Sequence, residues 1–157
     1  MRIIKIVACL FFVLFSACNE DKDGIPDVLS DNCEMPNGHL KWNFGSNSSC
    51  ANASLFGDLA IVLTVNGISL SGETLTLELD DVAPGNYSIS GDTNHLLLTD
   101  QLGMAWESSN SNPGTLTILS NNTSSNKLEA TFNAQLKNPL GLSKTLSSGI
   151  LKITYTE

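Results

Sequence analysis

Apolar and polar residues alternate along most of this chain. Leu128, Ala130, Phe132, Ala134 and Leu136 are separated by Glu129, Thr131, Asn133 and Gln135. A period of two sends successive side chains to opposite faces, so this run predicts a long strand with one buried and one wet face. Leu75, Leu77 and Leu79 alternate with Thr74, Thr76 and Glu78 in the same way, as do Leu151, Ile153 and Tyr155 with Lys152 and Thr154. Leu59 to Val65 is apolar on both faces apart from Thr64, which predicts a central strand.

Turn-forming residues punctuate these runs: Asn66-Gly67, Ser71-Gly72, Ala83-Pro84-Gly85-Asn86, Asn112-Pro113-Gly114, Asn121-Asn122 and Asn138-Pro139-Leu140-Gly141. The segments between them predict strands near 38–44, 49–54, 58–66, 73–80, 86–90, 95–99, 103–107, 114–120, 126–137 and 146–155. No sustained helical stripe interrupts them. The expected fold is all-β, an antiparallel β-sandwich or barrel of about eight to ten short strands.

The N-terminus follows a different rule. Arg2 and Lys5 precede an unbroken apolar run from Ile6 to Phe15, and the small residues Ser16 and Ala17 then precede Cys18. Ten apolar residues rise about 15 Å as a helix, roughly half a bilayer's hydrocarbon core, so the run is too short for a stable span. It reads as an export signal. Phe15-Ser16-Ala17-Cys18 resembles the lipobox of bacterial lipoproteins. In those proteins the cysteine thiol receives a diacylglycerol, the chain is cut before it and the new amine is acylated. Phe15 stands where that pattern prefers an aliphatic residue. Ordinary cleavage after Ala17 is the alternative, and it would want a small residue in place of Phe15.

The expected organisation is therefore a signal peptide over 1–17, an acidic tether over 18–36 and a β-sandwich domain over 37–157. Asn19-Glu20-Asp21-Lys22-Asp23 directly follows the cysteine. It resembles the signal that carries lipoproteins of Bacteroidota to the cell surface. The expected location is the outer membrane, held by the lipid and facing outward, with the periplasmic face as the alternative.

Charge narrows the partners. The chain carries 16 acidic residues against 8 basic ones. Without Arg2 and Lys5, six lysines remain against all the acids. That balance disfavours nucleic acid and anionic membrane surfaces, since both reward Lys and Arg. Serine, threonine and asparagine together make up 47 of the 157 residues, an uncharged polar surface suited to an exported β-protein.

Four cysteines divide by position. Cys9 leaves with the signal and Cys18 takes the lipid, which leaves Cys33 and Cys50 as an even pair in an oxidising compartment. One disulfide between them, stapling the tether's end to the first hairpin, is expected.

Within the tether, Asn19, Asp21, Asp23, Gly24 and Asp27 stand at relative positions 1, 3, 5, 6 and 9. Oxygen ligands at alternate positions and a glycine for the sharp turn suit a hard cation. The stretch resembles a thrombospondin type-3 calcium repeat. Asp21, Asp23 and Asp27 are its candidate ligands, for a weak calcium site. Ser30 stands where the closing bidentate carboxylate belongs, and a plain acidic spacer is the competing reading.

The body also resembles a family as a whole. Gly85-Asn86-Tyr87-Ser88-Ile89, Pro113-Gly114-Thr115-Leu116-Thr117-Ile118, Leu128-Glu129-Ala130-Thr131-Phe132-Asn133-Ala134 and Ser148-Gly149-Ile150-Leu151-Lys152-Ile153-Thr154-Tyr155 are similar, in order, to strand motifs of small Bacteroidota lipoproteins of unknown function. Glu129-Ala130 stands where those proteins have Ser-Gly. The resemblance spans about residues 38–157 and implies fold and location, with no activity attached.

Catalytic patterns are weak by comparison. Asp58, Glu73, Glu78, Asp80, Asp81 and Glu107 could supply a glycosidase carboxylate pair, as any acidic protein could. Asp80-Asp81 reads better as the end of a strand. His39 and His95 have no nucleophile-elbow motif beside them and read as strand-edge residues. No phosphate-binding or dinucleotide glycine pattern occurs. Trp42, Phe44 and Trp106 could form an aromatic platform that stacks on sugars; Trp42 and Phe44, two apart, share one face and read better as core. Trp106, beside Glu107 and the Ser/Asn-rich stretch 108–112, is the candidate for an exposed ligand contact. The expected function is a non-catalytic binding or accessory module for a glycan or protein ligand. A structural lipoprotein without a small ligand is the alternative, and a glycan hydrolase ranks below both.

Overall fold

The computed structural model describes residue 33, residues 38–56 and residues 62–155. Cys18, the signal segment, the tether with Asp21, Asp23 and Asp27, and Asp58 lie outside those residues. The described chain forms ten strands and no helix: β1 (Gly38–Phe44), β2 (Asn47–Phe56), β3 (Leu63–Ser69), β4 (Thr74–Leu79), β5 (Gly85–Ile89), β6 (Leu96–Thr99), β7 (Ala105–Glu107), β8 (Gly114–Asn122), β9 (Lys127–Lys137) and β10 (Ser143–Thr154).

Eight of them close into an antiparallel barrel in the order β1-β2-β3-β4-β6-β7-β9-β10, and β10 returns to β1. β8 shares an edge of β9 with β7. It pairs with residues 127–133 of β9, whereas β7 meets β9 at Glu107↔Lys137. β5 lies outermost on β8. Of the two expected architectures, the barrel is the one formed.

β10, the closing strand, is kinked. The β9–β10 ladder shifts register between Leu146 and Gly149, and Ser148 adopts φ +52° there. An extra residue bends its strand and increases twist; beyond it β10 stays paired with β9 as far as Thr154↔Lys127 while its other edge runs along β1. Gly149 faces Phe132 across the ladder, and a Cβ on Gly149 would fall within the Phe132 ring. Glycine leaves that space to Phe132 Cδ2 and Cε2.

The inner face is apolar, as the alternation predicts. Leu40, Trp42, Phe44, Leu75, Leu77, Leu79, Leu128, Phe132, Leu136, Leu151 and Ile153 are all buried in one core, joined by Leu116 and Ile118 from β8 and Ile89 from β5. The intervening residues, Thr74, Thr76, Glu78, Glu129 and Thr131 among them, point outward. An apolar inside and polar outside is the reverse of a membrane-spanning barrel, whose lipid face is apolar.

One expected turn is a strand interior. Asn66-Gly67 lies within β3, where Gly67 pairs with Ala53 on one side and Leu75 on the other. A side chain at residue 67 would stand 2.9 Å from Ala51 Cβ and 3.0 Å from Leu40 Cδ1. The glycine serves a close approach inside the barrel rather than a reversal of the chain. The strand predicted over 58–66 accordingly lies further along, ending at Ser69.

Cys33 and Cys50 form a disulfide with Cα atoms 5.7 Å apart, tying residue 33 to β2 in the first hairpin.

Candidate functional site

The register places four hairpin turns at one rim of the barrel. Phe44 pairs with both Asn47 and Leu146, so the β1–β2 turn lies beside the start of β10 and the β9–β10 turn. Ala51 pairs with Ser69, and Thr74 with Thr99, which brings the β3–β4 and β6–β7 turns to the same end. Gly38 and Thr154 end at the opposite rim, as do Asp80 and Asp81 beyond β4.

Three of these turns share one construction. In Ser69–Glu73, Asp100–Met104 and Asn138–Leu142 the first residue's N–H donates to the carbonyl of the fifth, at 2.8, 3.0 and 3.0 Å. The fourth residue is always glycine, Gly72, Gly103 or Gly141, with φ of +87°, +79° and +79°. Its N–H donates to the first residue's carbonyl at 3.0, 2.9 and 2.9 Å respectively. This is the three-residue hairpin loop whose left-handed position favours glycine. The first side chain completes it. Ser69 Oγ accepts from Glu73 N at 3.1 Å, Asp100 Oδ1 from Met104 N at 3.0 Å and Asn138 Oδ1 from Leu142 N at 2.9 Å. Asp100 Oδ1 and Asn138 Oδ1 also accept from Leu102 N and Leu140 N.

Two tryptophans are tied to this rim by carboxylates. Trp42 Nε1 donates to Glu73 Oε2 at 3.3 Å, and Ser49 Oγ donates to the same oxygen at 2.5 Å. Glu73 is 1% exposed, so the carboxylate links β1, β2 and the β3–β4 turn inside the barrel mouth. Trp106 Nε1 donates to Asp100 Oδ2 at 3.0 Å. Burial pushes the Asp100 carboxyl upward. The Trp106 N–H, the Met104 and Leu102 amides and the charge of Lys144 together outweigh it and hold the group below its usual value.

Trp106 is not an exposed platform. Only 7% of it reaches solvent, and its ring meets Phe44 edge-on at 5.3 Å between centroids. Lys144 Nζ lies 4.5 Å from the Phe44 centroid and 5.3 Å from that of Trp106, lidding both rings. An alternating strand sends Trp106 inward between Ala105 and Glu107. Its place next to a polar loop in sequence does not predict that direction.

The other acids are likewise held. Asp80 and Asn94 exchange hydrogen bonds with each other's backbone N–H, at 3.1 and 2.9 Å. Asp81 Oδ1 accepts from Ala83 N at 2.8 Å, and Asp92 Oδ2 accepts from Asn110 Nδ2. His95 Nδ1 stands 3.7 Å from Glu78 Oε2. Tyr87 donates to Ala83 O at 2.8 Å, and partial burial with the neighbouring Asp81 raises its phenol above the ordinary value. Among the described residues, no three His, Cys, Asp or Glu side chains converge as a metal site would require. The candidate calcium ligands Asp21, Asp23 and Asp27 fall outside those residues.

What sequence reading missed is the rim itself. Leu70, Leu102, Leu140 and Leu142 stand on its turns with exposures of 76, 92, 72 and 58%. The signal was present: a Ser, Asp or Asn followed three places later by glycine, with a leucine between, occurs at each of the three turns.

No known protein family, curated protein or solved structure matches this chain.

Proposed function

We propose that this chain is a lipid-anchored protein of the bacterial outer membrane, displayed at the cell surface, whose barrel is a non-catalytic binding or accessory module. Phe15-Ser16-Ala17-Cys18 behind ten apolar residues is the observation that carries the reading. The acidic run after Cys18 supports surface display.

The barrel supports the non-catalytic half. Its interior is filled with aliphatic and aromatic side chains, so a ligand would meet its outer surface or a rim. Glu73, Asp80, Asp81, Asp92 and Asp100 each accept hydrogen bonds that fix turns, loops or indoles. Carboxylates employed in this way support the fold and are poorly placed to shuttle protons. The ligand class is glycan or protein.

Two measurements test the reading. Cys18→Ala should move the protein from the membrane to the soluble fraction of the producing cell; continued anchoring would defeat the lipoprotein assignment. A glycan array probed with residues 19–157, in calcium and in chelator, separates the ligand classes. Calcium-dependent binding would assign the tether aspartates a role, and silence on every glycan would turn the search to protein partners.

A further inference from the structure

The exposed leucines of the rim have no internal purpose: their side chains are outside the core, yet three turns of one construction each present them. Apart from Ile68 (at the end of β3, next to Leu70) and Leu119, every exposed large hydrophobic of the described residues lies on these turns. We propose that this rim docks on a lipid bilayer, with Leu70, Leu102, Leu140 and Leu142 entering the headgroup–acyl boundary.

The chemistry of the tips favours lipid. Each leucine stands on a separate convex turn, and a fluid surface can close around separate points where a protein partner must be shaped to all of them. Among the described residues, the rim shows no exposed Trp, Tyr or Arg of the kind that anchors protein interfaces. Entry of a loop into an apolar medium is opposed mainly by backbone groups stripped of water. Here several of those groups are already paired. The N–H of Leu102 and of Leu140 is held by the Asp100 and Asn138 side chains. The glycine N–H of each turn is bonded to the carbonyl of its first residue. Pro139 has no N–H to strip.

Charge agrees. The chain as a whole bears a net charge of −8, but this rim departs from that average. Lys137 and Lys144 stand on or beside the β9–β10 turn, Lys137 opposite the exposed Glu107 and bonded to Ser111 Oγ, Lys144 over the Phe44 and Trp106 rings. Of the two acids on the rim turns, Glu73 is buried and Asp100 is engaged by Trp106 and two backbone amides. The exposed acids Asp80 and Asp81 are at the far end. The lysines offset the acids beside them, so an anionic headgroup layer is opposed less at this rim than at the other, where Asp80 and Asp81 are exposed.

This contact does not rest on acylation of Cys18, and the test omits that residue. Residues 19–157 retain the disulfide and the entire core, which lies between Leu40 and Tyr155. They are mixed with vesicles of equal parts phosphatidylethanolamine and phosphatidylglycerol and sedimented, beside the triple variant Leu70→Ser, Leu102→Ser, Leu140→Ser. All three side chains are exposed, so the variant keeps the core. The expected result is sedimentation of the wild-type protein and a loss of about tenfold or more in vesicle affinity for the variant. A wild-type protein that stays in the supernatant, or a variant that binds equally, overturns the proposal. So does a dimer in velocity sedimentation that the triple variant abolishes while vesicles remain unbound, since the rim would then serve a second copy of the chain.

Discussion

Trp106 and Asp100, six residues apart, are joined across the β6–β7 turn by a 3.0 Å hydrogen bond from the indole to the carboxylate. The same carboxylate caps the turn through Leu102 N and Met104 N. One side chain thus sets both the shape of a rim turn and the seat of a core ring. Trp42 and Glu73 repeat the arrangement on the neighbouring hairpin, where the carboxylate is buried and the turn is capped by Ser69 instead. In each case an indole that must bury its polar N–H finds its acceptor at the mouth of the barrel.

Glu73 should therefore be among the costliest polar residues to remove. Glu73→Leu would leave the Trp42 N–H and the Ser49 hydroxyl buried without their acceptor, at about 1–3 kcal/mol for each orphaned group. Glu73→Gln retains an acceptor oxygen and should lose less. Urea unfolding followed by tryptophan fluorescence reads the difference, and equal midpoints for wild type and Glu73→Leu would refute the role assigned to this carboxylate.

Asp100 makes a pH prediction. Its carboxyl is held below the ordinary value in the folded protein, so on acidification the unfolded chain takes up the proton first. The stability it contributes is present above the unfolded value of about 3.9 and is lost as pH falls through the folded value. Asp100→Asn should be less stable at neutral pH and should show a shallower loss of stability below about pH 4. Denaturation midpoints taken from pH 7 to pH 2 test this. Parallel curves for the two proteins would show that other carboxylates govern the acid limb.

Gly149 tests the kink of the closing strand. Gly149→Ala drives a Cβ into the Phe132 ring and the backbone behind it, and overpacking of this kind costs about 1–3 kcal/mol. Phe132→Leu in the same chain should recover part of that loss, because the obstructing ring is gone. A double-mutant cycle on thermal midpoints measures the coupling. Strict additivity would mean that ring and glycine do not share the space as described.

Much of the architecture was legible from residue order. The alternation of Leu128 to Leu136 marked both the extent of β9 and its buried face, and Leu75, Leu77 and Leu79 did so for β4. Trp42 and Phe44 were readable as core from their spacing, and Cys33 with Cys50 from the cysteine count. These are local matters: period two assigns inside and outside strand by strand without reference to any partner. The outlying readings failed where a neighbour distant in sequence decided. Gly67 looks like half of a turn until Ala51 and Leu40 crowd it. Trp106 looks accessible beside a Ser/Asn loop until Phe44 and Lys144 arrive from opposite ends of the chain.

By itself, then, the sequence determined the all-β class, most of the strands with their wet and dry faces, and the disulfide pair. Tertiary structure alone decided that the sheet closes, because closure lies in β10 pairing with β9 along one edge and with β1, distant in sequence, along the other. It also decided that Leu70, Leu102 and Leu140, up to seventy residues apart in the chain, share one rim. Strand direction and pairing order carry each hairpin tip to an end of the barrel, and neither is written in the local alternation that makes the strands.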